Sequence, residues 1–157
     1  MKNPEIQNIK ILFDKTFNGP AWHGPSVKEV LKDLSHEDVL KSVGNAHNIT
    51  EIVFHMIAWR NFLINKLKGQ ESYDVSKADN FQKFEHISEQ EWTNLKDRLE
   101  NSQKELQDLL SKVDDDILNQ KIGMRGYNFY TLMPLPITHK YSRYSLDMIQ
   151  IHRFHSN

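Results

Sequence analysis

The sequence predicts an all-α protein, a four-helix up-down bundle with short extra helices and an irregular crossover before the last helix. Three observations carry that expectation. Apolar residues recur at three- and four-residue intervals in separate long stretches, which places them on one helical face in each. Ser26, Asn48 and Ser88 each stand three positions before a glutamate and just ahead of such a stretch, the spacing of a helix-capping box. No repeat, low-complexity tract or linker divides the 157 residues, so one domain, 1–157, with a substantial core is expected.

Taken in order, Ile6, Ile9, Leu12, Phe13 and Phe17 predict a first helix over 4–17, with Pro4 at its start and Asn18-Gly19-Pro20 at its end. The loop that follows holds Trp22, His23, Gly24 and Pro25, and Trp22 either lies over a site or plugs the bundle end. Ser26 and Glu29 open a helix over Val27–Leu34; Ser35 and Asp38 open a further short one, which Gly44-Asn45 breaks. Asn45 to Gly69 contains the central helix. Asn48 is its cap, Ile52, Met56, Trp59 and Leu63 share a face, and Lys66 and Lys68 sit where the helix dipole favours cations. Gly69 stops it.

Residues 70–85 are polar and without period, a long connection that Tyr73, Phe81 and Phe84 anchor to the core. Ser88 and Glu91 then open a helix of more than twenty residues, marked by Trp92, Leu95, Leu99, Leu106, Leu109, Leu110 and Val113. Asp114-Asp115-Asp116 reads as a charged turn, because it lacks the alternating spacing and glycine of a calcium loop. Gly123, Gly126, Pro134 and Pro136 make 117–142 irregular, with Tyr127–Tyr130 extended. The last helical pattern, 143–157, places Leu146, Ile149 and Arg153 on one ridge and Met148, Ile151, His152 and His155 on another. It runs to Asn157 without a stop signal.

Composition narrows the function. Hydrophobic residues make up 38% and charged ones 26%, which suits a globular protein and not a disordered one. With a net charge of −1 and no basic block, no nucleic-acid partner is expected. The absence of cysteine excludes disulfides, thiolate-ligated zinc and a cysteine nucleophile, and fits the reducing cytoplasm as the expected compartment. Near the N-terminus the only apolar patch, Ile9–Phe13, is interrupted by Lys10, so neither a signal peptide nor a membrane span is expected.

The histidines form a constellation. His55 lies beside the apolar face of the central helix, where it is either a core histidine satisfied by a hydrogen bond or a metal ligand. His152 and His155 are three residues apart, a spacing at which two imidazoles on one helix can share an ion. With His55 they would supply three protein ligands and leave positions open for water or substrate, as a catalytic site does. All-imidazole ligation suits zinc, nickel, copper or iron.

The stretches WHGPSVKEVLKDL, HNITEIVFHMIAWRNFLINKLKG and MIQIHRFHSN, in that order, resemble the DinB-like family of metal-binding four-helix bundles. That family includes bacterial transferases of low-molecular-weight thiols. The resemblance runs from Trp22 to Asn157 and is strongest over His47–Gly69. It implies that one histidine of the second long helix and two of the last bind a divalent metal. The matching positions are His55, in an H-x-x-x-E-x-x-x-H setting with His47 and Glu51, and His155. Where the family has a histidine four residues before the last, this chain has Ile151; His152 follows it, turned by about 100° around the helix. Either the last helix rotates or bulges to bring His152 to the metal, or the site has lost a ligand and binds metal weakly or not at all; His139 is a separate, unplaced alternative ligand.

The expected set is therefore His55, His152 and His155 around a divalent ion, zinc or nickel foremost. The activity implied is S-transfer. The metal lowers the pKa of a small thiol, which then attacks a small electrophile, so a cysteine-free chain needs no nucleophile of its own. The loop at Trp22 and the side chain of Tyr73 are expected near that pocket, while His47 and Glu51 either support the ligands or serve capping and solvated surface. Two alternatives stand beside it: a non-catalytic bundle with a degenerate metal site, stress-related or interaction-based, and hydrolysis by bound water with Glu51 as base. Pairing through helix faces predicts a homodimer.

Overall fold

The expected capping residues do begin helices in the computed structural model, which describes residues 3–21, 24–42, 44–123 and 126–132. The Ser26 hydroxyl accepts from the Glu29 N–H while the Glu29 carboxylate returns to the Ser26 N–H, and this closed box opens α2 (Val27–Leu31). Ser88 and Glu91 do the same for α5 (Glu89–Leu110). At the head of α3 (Ile49–Leu67) only half the box forms. Asn48 accepts from the Glu51 N–H at 3.0 Å, but the Glu51 carboxylate turns to the His47 ring instead of the cap backbone. Gly69, at φ 79°, ends α3 in the left-handed conformation that a side chain would resist.

The first helix, α1 (Pro4–Asn18), is capped from across the fold. Asn3 makes no side-chain bond to its own helix. The carboxylate of Asp115 instead accepts from the Glu5 and Ile6 N–H groups at 3.2 and 3.0 Å, placing negative charge at the positive end of the helix dipole. Asn3 in turn donates to Asp114 at 2.7 Å. The aspartate turn, whose residues Asp115–Asn119 form a 3₁₀ helix, is thus the lid on α1.

Helix α3 runs through the middle of the described structure and packs most extensively on α5, with α1 against α2 and α5. Two apolar clusters form around it. One joins Phe17, Val27, Val30, Val39, Ile49, Val53, Trp92 and Leu99; the other joins Ile6, Phe13, Phe62, Leu63, Leu106, Leu110, Leu118 and Phe129. Between them lies a polar layer. Arg60, 2% exposed, donates through Nε to Gln103 Oε1 at 3.1 Å and through Nη1 to the Met56 carbonyl at 3.1 Å, and its guanidinium lies over the Phe17 ring. Gln103 donates onward to the Phe13 carbonyl at 3.2 Å, so one chain of bonds joins α3, α5 and α1. Burial pushes Arg60 down to about 10, which still leaves it a cation at neutral pH.

Four expectations are corrected. Helix α2 ends at Leu31 rather than Leu34, and residues 36–40 form hydrogen-bonded turns rather than a helix. Ser35 and Asp38 close a local turn, and the Val39 carbonyl accepts from the Ile49 and Thr50 N–H groups, which ties the turn to the start of α3. The connection 70–85 is not wholly irregular, for α4 (Lys77–Asn80) forms in it behind a Ser76 cap. Tyr127–Asn128 is extended as expected, as strand β2, paired antiparallel with β1 (Lys121–Ile122). Phe129 and Tyr130, however, enter α6 (Phe129–Leu132), whose Thr131 N–H is taken by Asn128. The last predicted helix, 143–157, lies outside the described residues. Among those described, no helix is long and apolar enough to cross a membrane.

Candidate metal centre

Helix α3 presents His55 on the flank where α4 docks, and α4 determines how the imidazole is held. His55 Nδ1 lies 2.8 Å from Asn80 Oδ1 and 3.0 Å from the Asn80 carbonyl. Trp59 Nε1 donates to the same Oδ1 at 2.9 Å, so that atom is an acceptor. Both neighbours of Nδ1 accept, hence Nδ1 carries the proton and Nε2 the in-plane lone pair. This is the tautomer in which a histidine ligates a metal through Nε2, with the opposite N–H held by a carbonyl oxygen.

The electrostatics agree with a neutral ring. Burial lowers the His55 pKa below its ordinary 6.5, its two bonds to Asn80 oppose that, and the charge of His47 adds to the lowering. The chemistry of this donor therefore fits a divalent ion: neutral near pH 7, oriented, with its basic nitrogen determined.

Phe81 sits between two imidazoles. Its ring stacks on His55 with centroids 4.2 Å apart and planes within 8°, and on His47 at 3.8 Å and 2°. Stacking covers ring faces and leaves the in-plane nitrogen edges to hydrogen bonds and ligands. Trp59 meets His55 edge-on, at 6.2 Å between centroids. Beyond Phe81, His47 Nδ1 pairs with Glu51, whose residue is 8% exposed. Glu51 is thus no solvated surface group. Its carboxylate holds the outer imidazole of the stack.

Of the expected ligands, the described residues include His55 alone; His152, His155 and the alternative His139 lie outside them, as does Trp22. Among the described residues no three His, Asp or Glu side chains converge on a common point. Tyr73, expected near the pocket, packs against the cluster of Phe62, Leu63 and Leu106.

A family model described as the DinB superfamily matches residues 22–136, well over half of the chain. The chain belongs to the DinB superfamily. No curated protein and no solved structure matches it. The matched span of this DinB superfamily member holds His47, Glu51, His55, Asn80 and Phe81 and ends before His152. Sequence reasoning missed Asn80 and gave Phe81 only a core-anchoring role. One signal was present: Ser76 three residues before Asp79, the spacing of a helix cap.

Proposed function

We propose that this DinB superfamily protein is a divalent-metal-dependent enzyme of the small-thiol S-transferase type, with His55, His152 and His155 holding the metal. The observation that carries the proposal is the state of His55, a half-buried neutral imidazole whose Nδ1–H is bonded to Asn80 and whose Nε2 is the donor. His55 fixes the site on α3, and the last stretch of the chain brings the other two donors. A divalent ion bound there, zinc or nickel, lowers the pKa of a low-molecular-weight thiol toward neutrality and so supplies the nucleophile that a chain without cysteine lacks. Phe81 and Trp59 give the surroundings of His55 an apolar character that suits a small electrophile. The protein acts as one domain and as a homodimer, in a reducing compartment.

The second reading, a non-catalytic bundle, has one observation in its favour: Ile151 stands four residues before His155, where the family has a histidine. One experiment separates them. Protein loaded with nickel or zinc is incubated with cysteine and a small alkyl halide, and thioether formation is followed by mass spectrometry. The transferase reading expects turnover that requires the metal and the thiol and falls at least about 100-fold in His55→Ala. Metal-independent background alone, equal in wild type and variant, leaves the non-catalytic reading.

A further inference from the structure

The connection after α3 carries a device that the expected ligand set does not account for. A core histidine needs one acceptor for its N–H. His55 has two, the carbonyl and the side-chain oxygen of the same residue, Asn80, and Trp59 pins the latter with its indole N–H. Helix α4 exists to present them. It is a single turn, capped by Ser76, and Asn80 is its last residue. The next residue, Phe81, leaves the helix at φ −138°, ψ 74° with its ring in the slot between His47 and His55. That slot has its far wall anchored on the same helix as its near wall, because Glu51, in the first turn of α3, holds His47. Laid end to end, the two stacking distances put the imidazoles no more than about 8 Å apart, room for one aromatic ring and no more.

We propose that Asn80 and Phe81 are positioning residues for His55: Asn80 fixes which ring nitrogen carries the proton, and Phe81, backed by His47 and Glu51, fixes the plane in which the other nitrogen points. The use of that orientation rests on the reading of His55 as a metal ligand. A free imidazole samples both tautomers and rotates about its side-chain bonds, so a ligand held in one tautomer and one plane binds without losing that freedom at the moment of binding. The clamp lies in the ring plane on the Nδ1 side and on one ring face, and it leaves the direction of Nε2 in plane as the one the fold defines.

The test has two readouts, and the first needs no metal. Ring ¹⁵N chemical shifts of His55 in metal-free protein report its tautomer. Wild type is expected to show the proton on Nδ1; Asn80→Ala, which loses the side-chain acceptor and keeps only the backbone carbonyl, a measurable population with it on Nε2; and Asn80→Asp, which keeps both acceptors, the wild-type pattern. Calorimetric titration with nickel is then expected to show about 10- to 100-fold weaker binding in Asn80→Ala and in Phe81→Leu, with Asn80→Asp within a few-fold of wild type. Urea midpoints establish that each variant folds. A wild-type His55 protonated on Nε2, or variants that keep both the wild-type tautomer and the wild-type affinity, overturns the positioning role and leaves the metal reading intact. The expected tautomers in a protein that takes up no nickel support the positioning role and overturn the metal reading.

Discussion

His55 shows how two opposing effects set the state of one side chain. Burial disfavours the imidazolium, the bonds to Asn80 favour it, and burial is the larger. With its folded pKa below the ordinary 6.5, the unfolded chain takes up the proton first as the pH falls. The contribution is therefore nil above pH 6.5 and increasingly destabilising below it, until the folded imidazole is itself protonated. His55→Gln keeps a donor for Asn80 without the titration. The urea midpoint of wild type is expected to drop relative to that of His55→Gln between about pH 7.5 and pH 5.5. An unchanged difference between the two would show that His55 is not held neutral. The histidine itself could be read in the sequence, since the spacing of Ile52, Met56 and Trp59 placed it beside an apolar face. Its partner could not, because Asn80 is 25 residues away in a stretch without period.

At the scale of elements, local chemistry was legible where a cap or stop bounds a helix that carries an apolar face. The Ser26 and Ser88 boxes and the Gly69 stop stand as their spacing says. Pairings across the fold were not legible. Asp115 reads in sequence as one of three charged turn residues, and only folding brings it to the head of α1. Asp115→Ala removes both the acceptor and the charge there and is expected to cost about 1–2 kcal/mol in urea unfolding, with Asp115→Asn intermediate. A loss below about 0.3 kcal/mol would mean that α1 draws nothing from the cap. The same limit explains α4: Ser76 signalled a helix start, but a single turn buries no stripe and leaves no period to detect. Likewise Asn128 turned half of an expected strand into a helix start by accepting from Thr131.

The whole molecule joins its two apolar clusters through the layer of Arg60, Gln103 and the Phe13 carbonyl. An arginine at a core position of α3 runs against the apolar pattern, and its bond to Gln103, 43 residues away, is what makes it tolerable. Arg60→Ala strands Gln103 Oε1 and leaves a void, so a loss of about 1–3 kcal/mol is expected, and less in Arg60→Met, which refills the volume. A cycle with Gln103→Ala is expected to give a coupling above about 0.5 kcal/mol; additivity would show that the layer contributes only volume. The all-α class was legible because each long helix announces its own face. Whether His152 and His155 join His55 was not legible, since an i,i+3 pair shifted from the family spacing by one residue fits two rotations of the helix that the pattern predicts.

The proposed metal centre makes His55 one ligand of a divalent ion shared with the last stretch of the chain. Metal content by mass spectrometry, on tag-free protein reconstituted with nickel or zinc and dialysed, tests it most directly in wild type, His55→Ala and His152→Ala. About one ion per chain is expected in wild type, with loss of it in both variants. Wild-type protein that retains no metal, or metal that survives His55→Ala, would contradict it.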